Sequence, residues 1–182
     1  MNMPFKPPKM LDREGLLGYA ARALTSRGLS LNELRTRLQR RASQKEDIAA
    51  VIASLQEAGF LNDRKLADSV ATWRRDNQGV GKTRVMRDLM SRRIAPAVAQ
   101  QAVDTAYSGV DEMVLIQNFL ARKYRGKNLG ELLADQKHLA SAFRKLRLAG
   151  FSSGNSIRTL KRYAAEADQL EESVADDEQE AP

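Results

Sequence analysis

The sequence has no cysteine and a single histidine, and both scarcities exclude classes of functional site. Without cysteine there is no disulfide framework, no thiol nucleophile and no cysteine-based metal site. His138 alone makes a histidine-rich metal site implausible as well. Aromatic residues form only 5% of the 182 residues, which argues against recognition through rows of stacked rings.

Long apolar runs are also missing. No segment reaches the roughly 18 uninterrupted apolar residues that a membrane-spanning helix needs. The first nine residues contain lysines and prolines but no apolar stretch, which is not the pattern of a secretory signal peptide. We therefore expect a cytoplasmic protein that makes no use of a membrane.

Charge is abundant and unevenly distributed. The chain has 30 Lys and Arg against 23 Asp and Glu, a formal net charge of +7. Residues 166–182 hold eight of the acids and no base, so residues 1–165 carry 30 basic against 15 acidic side chains. A body this basic suggests a polyanionic partner or an acidic protein surface. The acidic end favours a solvated, disordered tail over a tail that folds back and competes for the basic surface.

From about residue 13 onward, apolar residues recur with the period of a helix rather than that of a strand. Segments in which Val, Ile and Thr alternate with polar residues, as strands require, are missing. The sequence therefore predicts an all-α fold. The first of the helical stripes comprises Leu17, Ala20, Ala21 and Leu24.

Capping signals mark several helix ends. Ser30 lies three residues before Glu33, the spacing of a capping box, in which each side chain satisfies a free backbone N–H of the other residue. Ser43 and Glu46 repeat that spacing. Gly59 supplies a left-handed C-cap. These signals predict helices that start near residues 30 and 43, and a helix end at Gly59.

The order helix–helix–helix occurs three times along the chain. Leu38, Leu89 and Leu146 take equivalent positions in the three units. Their spacing gives a period of roughly 50 residues, which is typical of helical repeats that stack to bury a shared core. We therefore predict a tandem array of three three-helix units, elongated and curved. The predicted segments are a flexible arm at 1–12, repeats at 13–61, 62–108 and 109–165, and an acidic, disordered tail at 166–182.

The run Gly79-Val80-Gly81-Lys82-Thr83 looks like the end of a phosphate-binding P-loop. The complete motif needs a further glycine five positions before Gly81, where Asp76 stands, and an apolar strand that feeds the loop. The preceding residues 71–76 are charged and have a helical pattern. A turn between two helices is therefore the favoured interpretation, and a nucleotide-hydrolysing enzyme remains the minor alternative.

Other candidates for chemistry fit structural roles better. The pairs Glu46-Asp47 and Asp111-Glu112 stand at predicted helix starts, where negative charge complements the helix dipole. His138 has neither a second histidine nor a triad pattern near it, and we expect it at the surface or at the boundary of the core. Trp73 ends an apolar stripe, which favours packing in the core or between units over stacking on a nucleobase. The sequence thus predicts no catalytic residues.

Basic clusters recur in all three predicted units, and Arg predominates over Lys in them. Arg is the better bidentate donor to phosphate and carboxylate groups. A single cluster is usually a solvated helix face, but clusters repeated along an array would form a basic stripe suited to an elongated anionic partner. The residues that we expect to contact such a partner are Arg35, Arg37, Arg74, Arg75, Lys82, Arg84 and Arg87.

Two stretches together carry the pattern of a known family. The first is Leu31-x-x-Leu34-x-x-x-Leu38, followed by Ile48-x-x-x-Ile52-x-x-Leu55-x-x-x-Gly59-Phe60-Leu61-Asn62-Asp63-x-x-x-Ala67. The second is Arg74-Arg75, followed by Gly79-x-x-x-x-x-Val85-x-x-x-Leu89-x-x-x-x-Ile94-x-x-x-Val98. Over about residues 15–165 the chain resembles the RecX family of RecA regulators. One departure is Arg93, which stands where the family pattern often has glycine.

The resemblance implies tandem three-helix repeats that bind the RecA filament on DNA and lie in its helical groove. It implies suppression of RecA ATP hydrolysis and strand exchange, and hence a role in recombination, DNA repair and the SOS response. It also implies binding to single- and double-stranded DNA, with no cofactor and no catalysis. We expect a monomer. The alternative is a general DNA-binding helical protein that acts without RecA.

Overall fold

The structure is a computed structural model that describes residues 10–164 and residue 167. The described residues form ten α-helices, one π-helical turn and a single isolated β-bridge, so the predicted all-α fold is confirmed. None of these helices is long and apolar enough to cross a bilayer. The elements are α1 (Arg13–Ser26), α2 (Leu31–Gln39), α3 (Glu46–Glu57), α4 (Asp63–Trp73), the π turn (Arg74–Gln78), α5 (Lys82–Ser91), α6 (Pro96–Ala106), α7 (Glu112–Lys123), α8 (Leu129–Leu133), α9 (Gln136–Leu148) and α10 (Ser153–Leu160).

The chain divides into two compact units. Unit 1 takes in the residues up to Val70 together with Asp88–Ala102, and unit 2 takes in Ala71–Arg87 together with the residues from Val103 onward. Helices α4, α5 and α6 are each shared between the units, so the three-repeat division stays a prediction. The predicted arm at 1–12 and tail at 166–182 lie almost wholly outside the described residues.

The core of unit 1 lies among α1, α2 and α3. Leu16 and Ala20 on α1 and Leu34 on α2 have no exposed surface, and burial of each leucine contributes about 2 kcal/mol. The predicted stripe on α1 is confirmed at Ala20, which is buried, and at Leu24, which packs against the core, but it is wrong at Leu17, which is 40% exposed, and at the exposed Ala21. The buried face instead joins Leu16, Ala20 and Ala23, whose i, i+4, i+7 spacing places two small residues against the neighbouring helices.

The two predicted capping boxes have different outcomes. Ser30 caps α2 as predicted: its Oγ accepts from the Glu33 N–H at 3.1 Å, and its own N–H donates to Glu33 at 2.9 Å. The box at Ser43 is wrong, because α3 begins after Lys45 without a side-chain cap. The Ser43 N–H donates to the Leu11 carbonyl at 2.8 Å, next to the β-bridge between Leu11 and Ala42, and this ties Ser43 down ahead of the helix.

Two backbone positions adopt positive φ among the described residues of unit 1. Gly59 has φ 75° and ends α3, as predicted. Arg93, where the resembled family pattern often has glycine, has φ 60°, a conformation that costs a non-glycine residue about 1 kcal/mol. Two hydrogen bonds offset that cost: the guanidinium donates to Thr36 Oγ1 at 2.6 Å, and the Arg93 carbonyl accepts from Asn32 Nδ2 at 3.0 Å.

The core of unit 2 lies among α7, α9 and α10. Helix α9 buries Leu139, Phe143 and Leu146 almost completely. The ring of Phe151, at the turn before α10, meets Phe119 of α7 edge to face at 5.6 Å. The described residues of the third predicted unit, 109–164, contain four helices, since the short α8 forms within the segment between α7 and α9.

Candidate polyanion-binding surface

The seven basic residues predicted to contact a partner are distributed over both units. Arg35 and Arg37 lie on α2 in unit 1, whereas the other five belong to unit 2. The π turn and the first half of α5, which carry these five residues, both belong to unit 2. The exposed side chains are Arg35, Lys82, Arg84 and Arg87, and the half-buried ones are Arg37, Arg74 and Arg75.

Arg75 is engaged within unit 2. Its Nε donates to Asp76 Oδ1 at 2.6 Å, and its Nη2 donates to Asp76 Oδ2 at 3.1 Å. The third nitrogen, Nη1, donates to the Ala106 carbonyl. The hydrogen bond with Asp76 raises the pKa of Arg75 and lowers the pKa of Asp76. Arg75 therefore fastens the π turn to the end of α6, a use that the sequence does not reveal.

Lys82 and Arg84 occupy the first turn of α5, which contains no acidic residue. Positive charge at a helix N-terminus is unfavourable against the dipole, so this placement lowers helix stability slightly. Their exposure leaves both side chains accessible to an anionic partner. Arg87, one turn further along, donates to the Leu148 carbonyl at 3.1 Å and so also supports the packing of unit 2.

The glycine-rich run before α5 crosses the turn before α10 at backbone contact. The Gly81 N–H donates to the Ala149 carbonyl at 2.8 Å, and the Thr83 N–H donates to the Gly150 carbonyl at 3.2 Å. A phosphate-binding loop needs such N–H groups free to receive the ligand. The feeding segment is helix α4 and the π turn rather than a strand. The interpretation as a turn between helices is therefore confirmed.

A cavity of about 460 Å³ opens beside this crossing in unit 2 and is lined in part by Lys82, Tyr107 and Glu112. Burial raises the pKa of Tyr107 to about 12, and its hydroxyl donates to the Val80 carbonyl at 2.5 Å. The phenol therefore stays neutral and serves as a hydrogen-bond donor over the physiological range.

Glu112 reaches from α7 to the N-terminus of α10. Its carboxylate accepts from the Ser152 N–H at 2.9 Å, from Ser152 Oγ at 2.5 Å and from Asn155 Nδ2 at 2.6 Å. Burial alone would raise the pKa of Glu112, but these hydrogen bonds and the charge of Lys82 outweigh burial, so the pKa lies below its ordinary value. Asp111, the other member of the predicted Asp111-Glu112 pair, caps α7, because its side chain accepts from the Met113 N–H.

We expect the stability of unit 2 to fall in acid because of Glu112. A carboxyl whose pKa is lower in the folded state stabilises the fold above its unfolded-state pKa, and that contribution is lost as the pH falls through the folded-state value. Glu112→Gln should cost about 1–2 kcal/mol at pH 7. Denaturation at pH 7 and at pH 3 measures both effects: the deficit of the variant should shrink at pH 3, and an equal deficit at both pH values contradicts this role.

Trp73 is exposed, so the prediction that it packs in the core is wrong. It is the last residue of α4, and 51% of its surface is accessible. The Arg74 guanidinium lies 5.8 Å from the centre of its ring. The polar run of residues 74–78, which follows Trp73 directly, is the sequence signal that could have indicated an exposed ring.

Arg122 on α7 was not among the predicted contact residues, yet it binds the end of the π turn that carries Arg74 and Arg75. Its guanidinium donates to the carbonyls of Asn77 and Gln78 at the end of the π turn. A Cβ at Gly79, which has φ 55°, would lie 2.8 Å from that guanidinium. Gly79 thus supplies both the left-handed turn and the space for Arg122. His138, in contrast, lies at the surface, as expected, beside Asp135.

Comparison with known proteins finds relatives of one kind. No family model matches the chain. "Regulatory protein RecX" of Leptothrix cholodnii is 30% identical over 149 residues, covering 82% of this chain and 88% of that protein. The protein of the same name from Amycolatopsis mediterranei is 27% identical over 159 residues, covering 84% and 87%. That of Deinococcus radiodurans is 34% identical over 92 residues, which are 50% of this chain and 43% of that protein.

Solved structures agree on the fold. The crystal structure of RecX from Lactobacillus salivarius superposes with a TM-score of 0.66 at 15% identity, covering 83% of this chain and 96% of that one. A second crystal structure, of regulatory protein RecX, gives a TM-score of 0.62 at 15% identity, covering 82% and 73%. At this level of identity the likeness concerns the helical architecture alone.

Proposed function

The chain belongs to the RecX family of regulatory proteins, and we propose that it regulates the RecA recombinase by binding the RecA filament on DNA. Family membership carries the proposal, and it makes the chain a regulatory protein rather than an enzyme. The basic body, with 30 basic against 15 acidic residues in 1–165, supports a polyanionic partner. Binding would lower RecA ATP hydrolysis and strand exchange, and so restrain recombination and DNA repair in the cytoplasm.

The proposed mechanism is binding through many modest contacts. A monomer that presents basic side chains from several helices can engage neighbouring filament subunits and the DNA at once, and linked weak contacts add to high affinity. Because a ligand shifts an equilibrium only by its difference in affinity, contacts that differ between the active and inactive filament would shift RecA towards the inactive one.

The packing of unit 2 ranks the proposed contact residues. Lys82 and Arg84 rank first because they are exposed on the first turn of α5. Arg35 on α2 is the corresponding exposed residue of unit 1. Arg75 ranks last, since Asp76 and the Ala106 carbonyl already engage its guanidinium. Arg37, Arg74 and Arg87 complete the proposed set.

The test is the DNA-dependent ATPase of RecA, measured while this protein is titrated in. We expect the rate to fall in a saturable manner, together with strand exchange. An unchanged rate at saturating protein contradicts the proposal. Binding to bare and to RecA-coated DNA at one salt concentration is the companion measurement. Equal affinities would favour the alternative of a DNA-binding protein that acts without RecA.

A further inference from the structure

The exposure of Trp73 is unusual for the one tryptophan of the chain. A tryptophan ring is a large apolar surface, and folding normally buries most of it. Here half of the residue stays accessible at the end of α4. The ring therefore offers a flat apolar face that the fold of unit 2 does not use for its own core.

The backbone under this ring is held firmly. The π turn continues α4 without a break, and Asn77 Nδ2 donates to the Trp73 carbonyl at 3.2 Å. Arg75 fastens the turn to the Ala106 carbonyl, and Arg122 fastens its last residues from α7. Single π turns inside helices recur at functional sites. Trp73 is thus presented on a supported base rather than on a loose loop.

The ring lies next to a basic side chain, since the Arg74 guanidinium is 5.8 Å from its centre. The segments 73–78 and 122–127, which Arg122 links by a hydrogen bond to the π turn, contain six basic side chains and one carboxylate. That carboxylate, Asp76, is paired with Arg75. An aromatic face beside guanidinium groups is the combination by which proteins hold single-stranded nucleic acid, since the ring stacks on a base while the cations bind phosphates.

We propose that Trp73 is a stacking platform for a base of single-stranded DNA, with the guanidinium of Arg74, which lies 5.8 Å from the centre of the ring, positioned to bind a neighbouring phosphate. The inference rests on the proposed function insofar as that function supplies DNA as a partner. Bases in a duplex are stacked on each other and cannot reach the ring, so the platform favours single strands. A protein partner at the same ring is the competing outcome of the test.

The single tryptophan makes the platform directly observable. We expect a 15-nucleotide oligothymidylate to quench the tryptophan emission of the full chain in a saturable titration. Trp73→Leu removes the stacking face but keeps an apolar side chain, and should lower the affinity for this oligonucleotide, measured by anisotropy of a labelled strand, about tenfold. Trp73→Phe should lose less. The dependence of affinity on salt should not change, because stacking releases no counterions.

A strand of equal length made of abasic nucleotides isolates the stacking. The wild-type chain should bind it about tenfold more weakly than oligothymidylate, whereas Trp73→Leu should bind the two strands about equally. Phe60→Leu is the matched control, because Phe60 is an exposed aromatic residue of unit 1, 72% accessible. It should leave both affinities unchanged. Helical circular dichroism and melting confirm that each variant is folded.

Unchanged emission, or unchanged affinity of folded Trp73→Leu for oligothymidylate, overturns the platform. So does a variant that loses affinity only for RecA-coated DNA, since the ring would then contact protein. These outcomes are distinguishable from failure of the proposed function. Suppression of the RecA ATPase with no role for Trp73 leaves that function standing, and base stacking without any effect on RecA leaves the platform standing.

Discussion

Gly150→Ala is expected to destabilise unit 2 by about 4 kcal/mol, and Gly81→Ala by a similar amount. A Cβ at Gly150 would lie 2.2 Å from the backbone nitrogen of Arg84. Gly150 also has φ 89°, a conformation that alanine rarely adopts. A Cβ at Gly81 would lie 2.2 Å from the Gly150 carbonyl oxygen. Both obstacles are backbone atoms, so either substitution must separate the two segments and break the hydrogen bonds that join them.

Gly154→Ala is the matched control for this prediction. Gly154 lies in α10, four residues beyond Gly150, and a Cβ there would meet nothing within 4 Å. Alanine should therefore stabilise the helix by about 0.5–1 kcal/mol. Urea denaturation followed by circular dichroism measures all three variants. A value for Gly150→Ala within 1 kcal/mol of the wild type would show that the backbone crossing is not a constraint.

Local signals were sufficient for much of the fold. The capping box at Ser30 and the C-cap at Gly59 involve residues a few positions apart, so their geometry follows from the sequence alone. The box at Ser43 failed because the Ser43 N–H donates to the carbonyl of a tertiary partner, Leu11, which is bridged to the preceding Ala42. The face of α1 was misplaced because Leu16 and Leu17 each begin an apolar stripe, and only packing in unit 1 decides between them.

In the candidate surface, too, tertiary packing decides what the local sequence leaves open. Composition identifies which residues are basic, but not which of them already bind a backbone carbonyl. Arg75, Arg87 and Arg122 donate to carbonyls 31, 61 and 44 residues away along the chain. Such pairs follow from tertiary packing and leave no local pattern. Trp73 was misjudged for a related reason: its helical stripe suggested a core, but tertiary packing leaves 51% of the residue accessible.

Charge reversal on α5 is expected to produce the largest loss of function. The double variant Lys82→Glu, Arg84→Glu should weaken binding to the RecA–DNA filament on the order of 100-fold. Both side chains are exposed on the first turn of α5, so an anionic partner can reach them. Each substitution removes an attraction to the anionic RecA–DNA filament and introduces a repulsion from it. Sedimentation with RecA–DNA filaments measures the affinity, and the RecA ATPase should recover in parallel.

Position can be separated from total charge by a second double variant. Arg144→Glu, Arg158→Glu makes the same change in net charge on exposed residues of α9 and α10 in unit 2, and we expect it to weaken binding much less. Equal losses in both doubles would mean that only overall charge matters, and would remove α5 from the proposed contact surface.

A neutral double variant tests whether the loss of affinity results from a loss of stability. Lys82 lies close enough to Glu112 to lower the pKa of that carboxyl, so a glutamate at position 82 would repel it and loosen the cap of α10. Lys82→Gln, Arg84→Gln removes the two charges without creating this repulsion. If the α5 face binds the filament, the neutral double should lose about tenfold in affinity while its midpoint of denaturation stays close to that of the wild type. Loss of affinity that follows loss of stability across the three doubles would instead assign Lys82 and Arg84 to the packing of unit 2.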